Sequence, residues 1–131
     1  MRAQVLIVEA RENLGTLWQS FLERQGFDVA LAGNQPDAID KLQFDRWDVL
    51  VIDLMLPDAS VLAISDFASY KNPDISIIAV STNSFFSDGS IFDLWPNVRG
   101  FMNQPIEPDD LAAVVDHFAR STNRARAVHS S

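Results

Sequence analysis

The chain has 131 residues, 47% of them hydrophobic and 21% charged, enough for one proper core and ordinary for a soluble globular domain. A formal net charge of −8 argues against nucleic acid as the main partner, because phosphate binding needs a basic face, and no apolar run approaches a membrane span. The lack of cysteine excludes disulfides and thiolate metal sites, and it fits a reducing, cytoplasmic setting. So does an N-terminus that enters a strand pattern instead of a signal peptide.

Ala3–Val8 is an apolar run of strand length closed by Glu9. Asn13 is placed to cap the helix that follows, where Leu14, Leu17, Trp18, Phe21 and Leu22 recur at helical spacing, and Gly26 stands where a C′ glycine ends it. Phe27–Ala32 reads as a short strand. Asn34 and Pro36 start a second helix that turns Ala38, Ile39 and Leu42 inward. Trp47–Ile52 runs unbroken into Asp53. Without polar alternation, it reads as a central strand buried on both faces. Asp58 is the expected cap of a third helix with Val61, Leu62, Ile64 and Phe67 as core positions, ending before Asn72-Pro73.

Ile75–Val80 is a fourth strand, closed by Ser81 and Thr82. Phe85–Trp95 carries Gly89 and two serines among its aromatics, which predicts a poor, short helix with more aromatic surface than one face buries. Val98–Met102 is the fifth strand, and Pro108 opens a last helix with Leu111, Val114, Val115 and Phe118 inward. After Arg120 the apolar stripe stops, so residues 1–120 form the expected domain and 121–131 a flexible tail. Trp18 and Trp47 read as core. His117 and His129 have no companion ligands at metal spacing.

Strand and helix thus alternate five times, implying an α/β fold: a doubly wound, mostly parallel sheet with right-handed crossovers and helices on both faces. Polar residues gather where strands end, at Glu9, Asp53, Ser81 and Gln104-Pro105, the rim where open α/β sheets keep their ligands. A strand-end aspartate such as Asp53 is also an ordinary turn starter. Its company along the rim favours a site.

Val-Leu-Ile-Val-Glu at 5–9, Val-Ile-Asp-Leu-Met-Leu-Pro at 51–57, Ile-Ile-Ala-Val-Ser at 77–81 and Gly-Phe-Met-Asn-Gln-Pro at 100–105 resemble the receiver domain of two-component response regulators, from about Val5 to Arg120. The resemblance implies the flavodoxin-like order 2-1-3-4-5, with the pocket at the switch point between the first and third strands. It also implies that Asp53 is the phosphoacceptor, a carboxylate nucleophile, and that Ser81 hydrogen-bonds the phosphoryl group. Mg2+ would be held by Glu9, Asp53 and the Met55 carbonyl.

Two positions depart from the family pattern. Ala10 replaces the second acid after the first strand, and Gln104 stands where a lysine is usual. The amide still donates a hydrogen bond, worth roughly 0.5–1.5 kcal/mol against roughly 1.5–3 for a charged donor. The expectation is therefore a weak metal site, with any self-phosphotransfer or dephosphorylation activity weak and no enzyme activity in the ordinary sense. Arg11 is near enough to swing into the space Ala10 vacates, although an exposed loop arginine is the commoner role. Phe101 matches the family's switching aromatic but lacks a hydroxyl, which favours plain core packing. The Gln104-Pro105 bond matches a cis bond in the family.

The expected partners are a histidine kinase or phosphotransfer protein and a downstream protein, with a homodimer through the Phe85–Phe118 face. With no DNA-binding domain in the sequence, the expected protein is a single-domain response regulator. The competing expectation is a phosphorylation-independent pseudo-receiver that acts as an interaction or dimerisation module. A flavodoxin-like cofactor binder is disfavoured, because Glu9-Ala10-Arg11-Glu12-Asn13 offers no cradle for a phosphate.

Overall fold

The computed structural model describes residues 2–81 and 96–130, the last two by backbone alone. The expected helix over Phe85–Trp95, and with it much of the proposed dimer face, lies outside the described residues. Five strands, β1 (Gln4–Val8), β2 (Asp28–Ala32), β3 (Val49–Asp53), β4 (Ser76–Ser81) and β5 (Val98–Asn103), form one sheet in the order β2-β1-β3-β4-β5. All four pairings are parallel. Four helices are described: α1 (Glu12–Arg24), α2 (Gln35–Phe44), α3 (Asp58–Lys71) and α4 (Pro108–Ser130).

The layers follow from the pleat. Alternate residues of β1, β3 and β4 face opposite sides of the sheet. Leu6, Val8, Leu50, Ile52, Ile77 and Ala79 pack with Ala38 and Leu42 of α2 and Val61, Ile64 and Ala68 of α3. Val5, Ile7, Val49, Val51, Ile78 and Val80 pack with Trp18 and Leu22 of α1 and Leu111 and Val115 of α4. Every residue of β3 is buried, so the unbroken apolar run is what the central position requires. At Gly100, an added Cβ would stand 2.8 Å from the Phe118 ring, so glycine lets α4 lie close on β5.

Punctuation residues are partly as expected. The Asn34 side chain accepts the Asp37 N–H at 2.9 Å and caps α2. Gly26 has φ +100° after α1. Asn13 and Asp58, by contrast, lie inside the first turns of α1 and α3, whose caps, Arg11 and Pro57, make no side-chain capping bond. Acids there still favour the helix N-terminus electrostatically. Leu17 and Leu62 face solvent, because Gly15, Trp18 and Leu22 form the stripe of α1 and Val61, Ile64 and Ala68 that of α3. Phe101 is partly buried against the core, and the Gln104-Pro105 bond is cis.

The largest difference is at the C-terminus. Where the sequence predicts a flexible tail, α4 continues to Ser130. Thr122 is buried and bridges to the Asp48 carbonyl at 2.9 Å and to Ser76 Oγ at 2.8 Å. Arg126 bonds the Asp48 carboxylate and donates to the Trp47 carbonyl at 2.7 Å. Polar bonds, not an apolar stripe, hold this part of the helix to the sheet.

Candidate functional site

The register aligns the carboxyl ends of the central strands. Asp53, the last residue of β3, pairs with Val80, and Ser81 pairs with Asn103. Beyond the ladder, Leu54 N–H donates to the Val80 carbonyl and Gln104 N–H to the Ser81 carbonyl, both at 2.8 Å. Asp53, Ser81 and Gln104 are therefore tied through the end of β4. Glu9 follows β1 on the other side of β3, and its N–H is held by the Ala32 carbonyl at 3.0 Å.

Arg11 joins these groups. Its Nε donates to Glu9 Oε1 at 2.9 Å. Its Nη2 reaches Asp53 Oδ2 at 3.2 Å, Gln104 Oε1 at 3.0 Å and, more distantly, Glu9 Oε2 at 3.5 Å. The Arg11 backbone N–H also donates to Glu9 Oε1 at 2.9 Å, and Asp53 Oδ1 accepts the Met55 N–H at 2.9 Å. Glu9, Asp53 and Ser81 are buried, whereas the Arg11 side chain is 47% exposed. The bond from Arg11 fixes the orientation of the Gln104 amide, since only the oxygen can face a guanidinium. Its other end, Nε2, is buried with no hydrogen-bond partner among the described residues.

Two buried carboxylates thus face one guanidinium. Burial first, then the Glu9 carboxyl, pushes Asp53 up to about 6, against the opposing pull of the Met55 N–H and Arg11. Burial also resists ionisation of Glu9, but its bonds with Asp53 and Arg11 outweigh that and hold it below the usual range.

The sequence picks out Glu9, Asp53, Ser81 and Gln104, and the rim brings all four to the ends of neighbouring strands. Met55 adds its N–H to Asp53, and its side chain is exposed. Arg11 occupies the space beside Ala10, the less common of the two roles its sequence position allows. Receiver domains generally bind Mg2+ at the phosphorylation site. Here Arg11 already lies against Asp53 Oδ2 and Glu9 Oε1, bringing a positive charge where a cation would sit, and Ala10 offers no oxygen ligand. No group of three or more His, Cys, Asp or Glu with metal-binding geometry occurs among the described residues. The residues present do not fit a resident divalent ion.

The family model for the response regulator receiver domain matches residues 5–116. The chain is 26% identical over 120 residues to the regulatory protein LuxO of Vibrio vulnificus (strain YJ016), covering 92% of this chain and 26% of LuxO. It is 26% identical over 125 residues to the alkaline phosphatase synthesis transcriptional regulatory protein PhoP of Bacillus subtilis (strain 168), covering 95% of this chain and 52% of PhoP. It therefore spans between about a quarter and about half of these relatives. The CheY-like receiver domain protein of Methanospirillum hungatei JF-1 has the same fold, with a TM-score of 0.84 at 19% identity over 95% of this chain and 99% of that one. No helix among the described residues is long and apolar enough to cross a membrane. Fold, register and family match agree, and the chain belongs to the response regulator receiver domain family, a class of signalling domains of two-component systems.

Proposed function

We propose that this receiver takes a phosphoryl group on Asp53 from a histidine kinase or phosphotransfer protein in the cytoplasm, and signals through protein–protein contacts. The observation that carries the reading is the orphan donor of Gln104. A buried N–H without an acceptor among the described residues costs about 1–3 kcal/mol, and a phosphoryl oxygen brought within its reach would satisfy it. In the reaction, an Asp53 oxygen attacks the phosphorus of a phosphohistidine. The P–N bond breaks as the P–O bond forms, and the leaving imidazole nitrogen keeps the electron pair and takes up a proton. Arg11 turns from the carboxylate to the new phosphoryl oxygens, while Ser81 and Gln104 donate to them. Asp53 must be ionised to attack, so transfer weakens as pH falls through about 6.

A second reading is favoured by one observation: both oxygens of Asp53 are engaged, by the Met55 N–H and by Arg11. In that reading the chain is a pseudo-receiver whose binding surface is constitutive. The two separate on incubation with acetyl phosphate or a phosphorylated histidine phosphotransfer domain, followed by intact mass. A gain of one phosphoryl group that Asp53→Asn abolishes establishes the first; an unmodified chain establishes the second.

A further inference from the structure

One guanidinium touches every charged group of the rim cluster. Arg11 spans Glu9, Asp53 and Gln104 with contacts of 2.9, 3.2 and 3.0 Å. A divalent ion at this rim would draw on the carboxylates of Asp53 and Glu9. Arg11 holds Asp53 Oδ2, and Glu9 Oε1 receives two N–H groups of Arg11, one from the backbone and one from the side chain. The backbone bond sets the direction of the Glu9 carboxylate independently of where the guanidinium goes. A seated Arg11 therefore competes with Mg2+ for the same two carboxylates and repels it as a like charge. The half-exposed side chain shows that the arginine has a way out.

We propose that Arg11 is a tethered counter-ion standing where a receiver's metal would sit, so that this pocket is charge-balanced without metal and binds Mg2+ only by expelling the guanidinium. The inference rests on the receiver reading of the pocket but not on phosphorylation itself. Arginine suits the post because its planar fork meets several oxygens at once and it never loses its charge. Ala10 and Arg11 then form one change: the acid that would ligate the ion is gone, and the next residue brings the positive charge.

The test is a Mg2+ titration of the isotopically labelled chain at constant ionic strength, without any phosphodonor, following the Met55 amide by NMR. Wild type should respond weakly. Arg11→Ala should bind Mg2+ at least ~10-fold more tightly, and Ala10→Asp/Arg11→Ala more tightly again. Should Arg11→Ala unfold, Arg11→Gln, which keeps hydrogen bonding without the charge, must show the same gain. Equal affinity in wild type and Arg11→Ala would overturn the proposal. So would a gain seen only when Ala10→Asp is added, for then the missing acid alone weakens the site. A chain that shows the metal response yet never accepts a phosphoryl group keeps this inference and loses the proposed function.

Discussion

The two rims of the sheet each place an arginine on an aspartate, and they do it to opposite ends. At the amino-terminal rim Arg126 meets the Asp48 carboxylate, whose second oxygen accepts the Gln4 N–H at 2.7 Å, while the Asp48 carbonyl accepts from Thr122. One cation serves one carboxylate, and both oxygens have donors. At the carboxyl-terminal rim one half-exposed arginine serves two buried carboxylates, Asp53 is pushed up to about 6, and Gln104 keeps a donor without a partner among the described residues. A cleft of about 640 Å3, lined in part by Arg2, Arg46, Asp48 and Arg126, lies at the satisfied rim. Unmet charge and hydrogen-bonding capacity set apart the rim proposed to accept the phosphoryl group.

The sharpest way to break this comparison is to remove the cation from the satisfied rim. Arg126→Ala leaves Asp48 largely buried without its ion partner and strips two bonds that hold the end of α4. The expected loss is about 2–3 kcal/mol in urea unfolding, below the full cost of breaking a wholly buried pair because both side chains keep some access to water. A loss under about 0.5 kcal/mol would mean that this pairing is ordinary surface electrostatics.

The carboxyl-terminal rim should respond with the opposite sign. Asp53 is an acid whose folded pKa is raised, mainly by burial and then by Glu9. The folded state thus binds its proton more tightly than the unfolded chain does, and the stability this gives is present below about pH 4 and lost as pH rises through about 6. Asp53→Asn removes that loss. It should unfold like wild type near pH 4 and be about 1–2 kcal/mol more stable at pH 7, because Glu9 then has Arg11 to itself. A variant less stable at pH 7 would show that Arg11 fully compensates both carboxylates.

How much of this was legible depends on which interactions leave a periodic trace. The β3 run, the Asn34 cap and Gly26 are local signals: each acts within a few residues of itself, and each appears in the structure as the pattern implies. The rim residues were legible because parallel strands of similar length end side by side. Arg126 and Asp48 are 78 residues apart, and nothing in either segment names the other. Helical reading tracks apolar residues every third or fourth position, so it stops at Arg120 although the helix goes on. Polar pairing holds residues beyond that point, and polar pairing has no period. Arg11 was visible only as an option, since a loop arginine is placed by the groups around it and not by its neighbours in sequence.

The smallest expected effect tests the orphan donor. Gln104→Met keeps the length of the side chain and removes both its buried, unpartnered Nε2 and the oxygen that accepts from Arg11. Losing the unpaired donor stabilises, and losing a contact that a half-exposed guanidinium can replace with water costs little. The net should be a gain of about 0.5 kcal/mol in urea unfolding, with acceptance of a phosphoryl group weakened. A residue whose removal helps folding and harms transfer is placed for the reaction. If Gln104→Met instead destabilised the fold, the amide would be a strut for Arg11, and the contrast between a satisfied rim and an expectant one would lose its clearest residue.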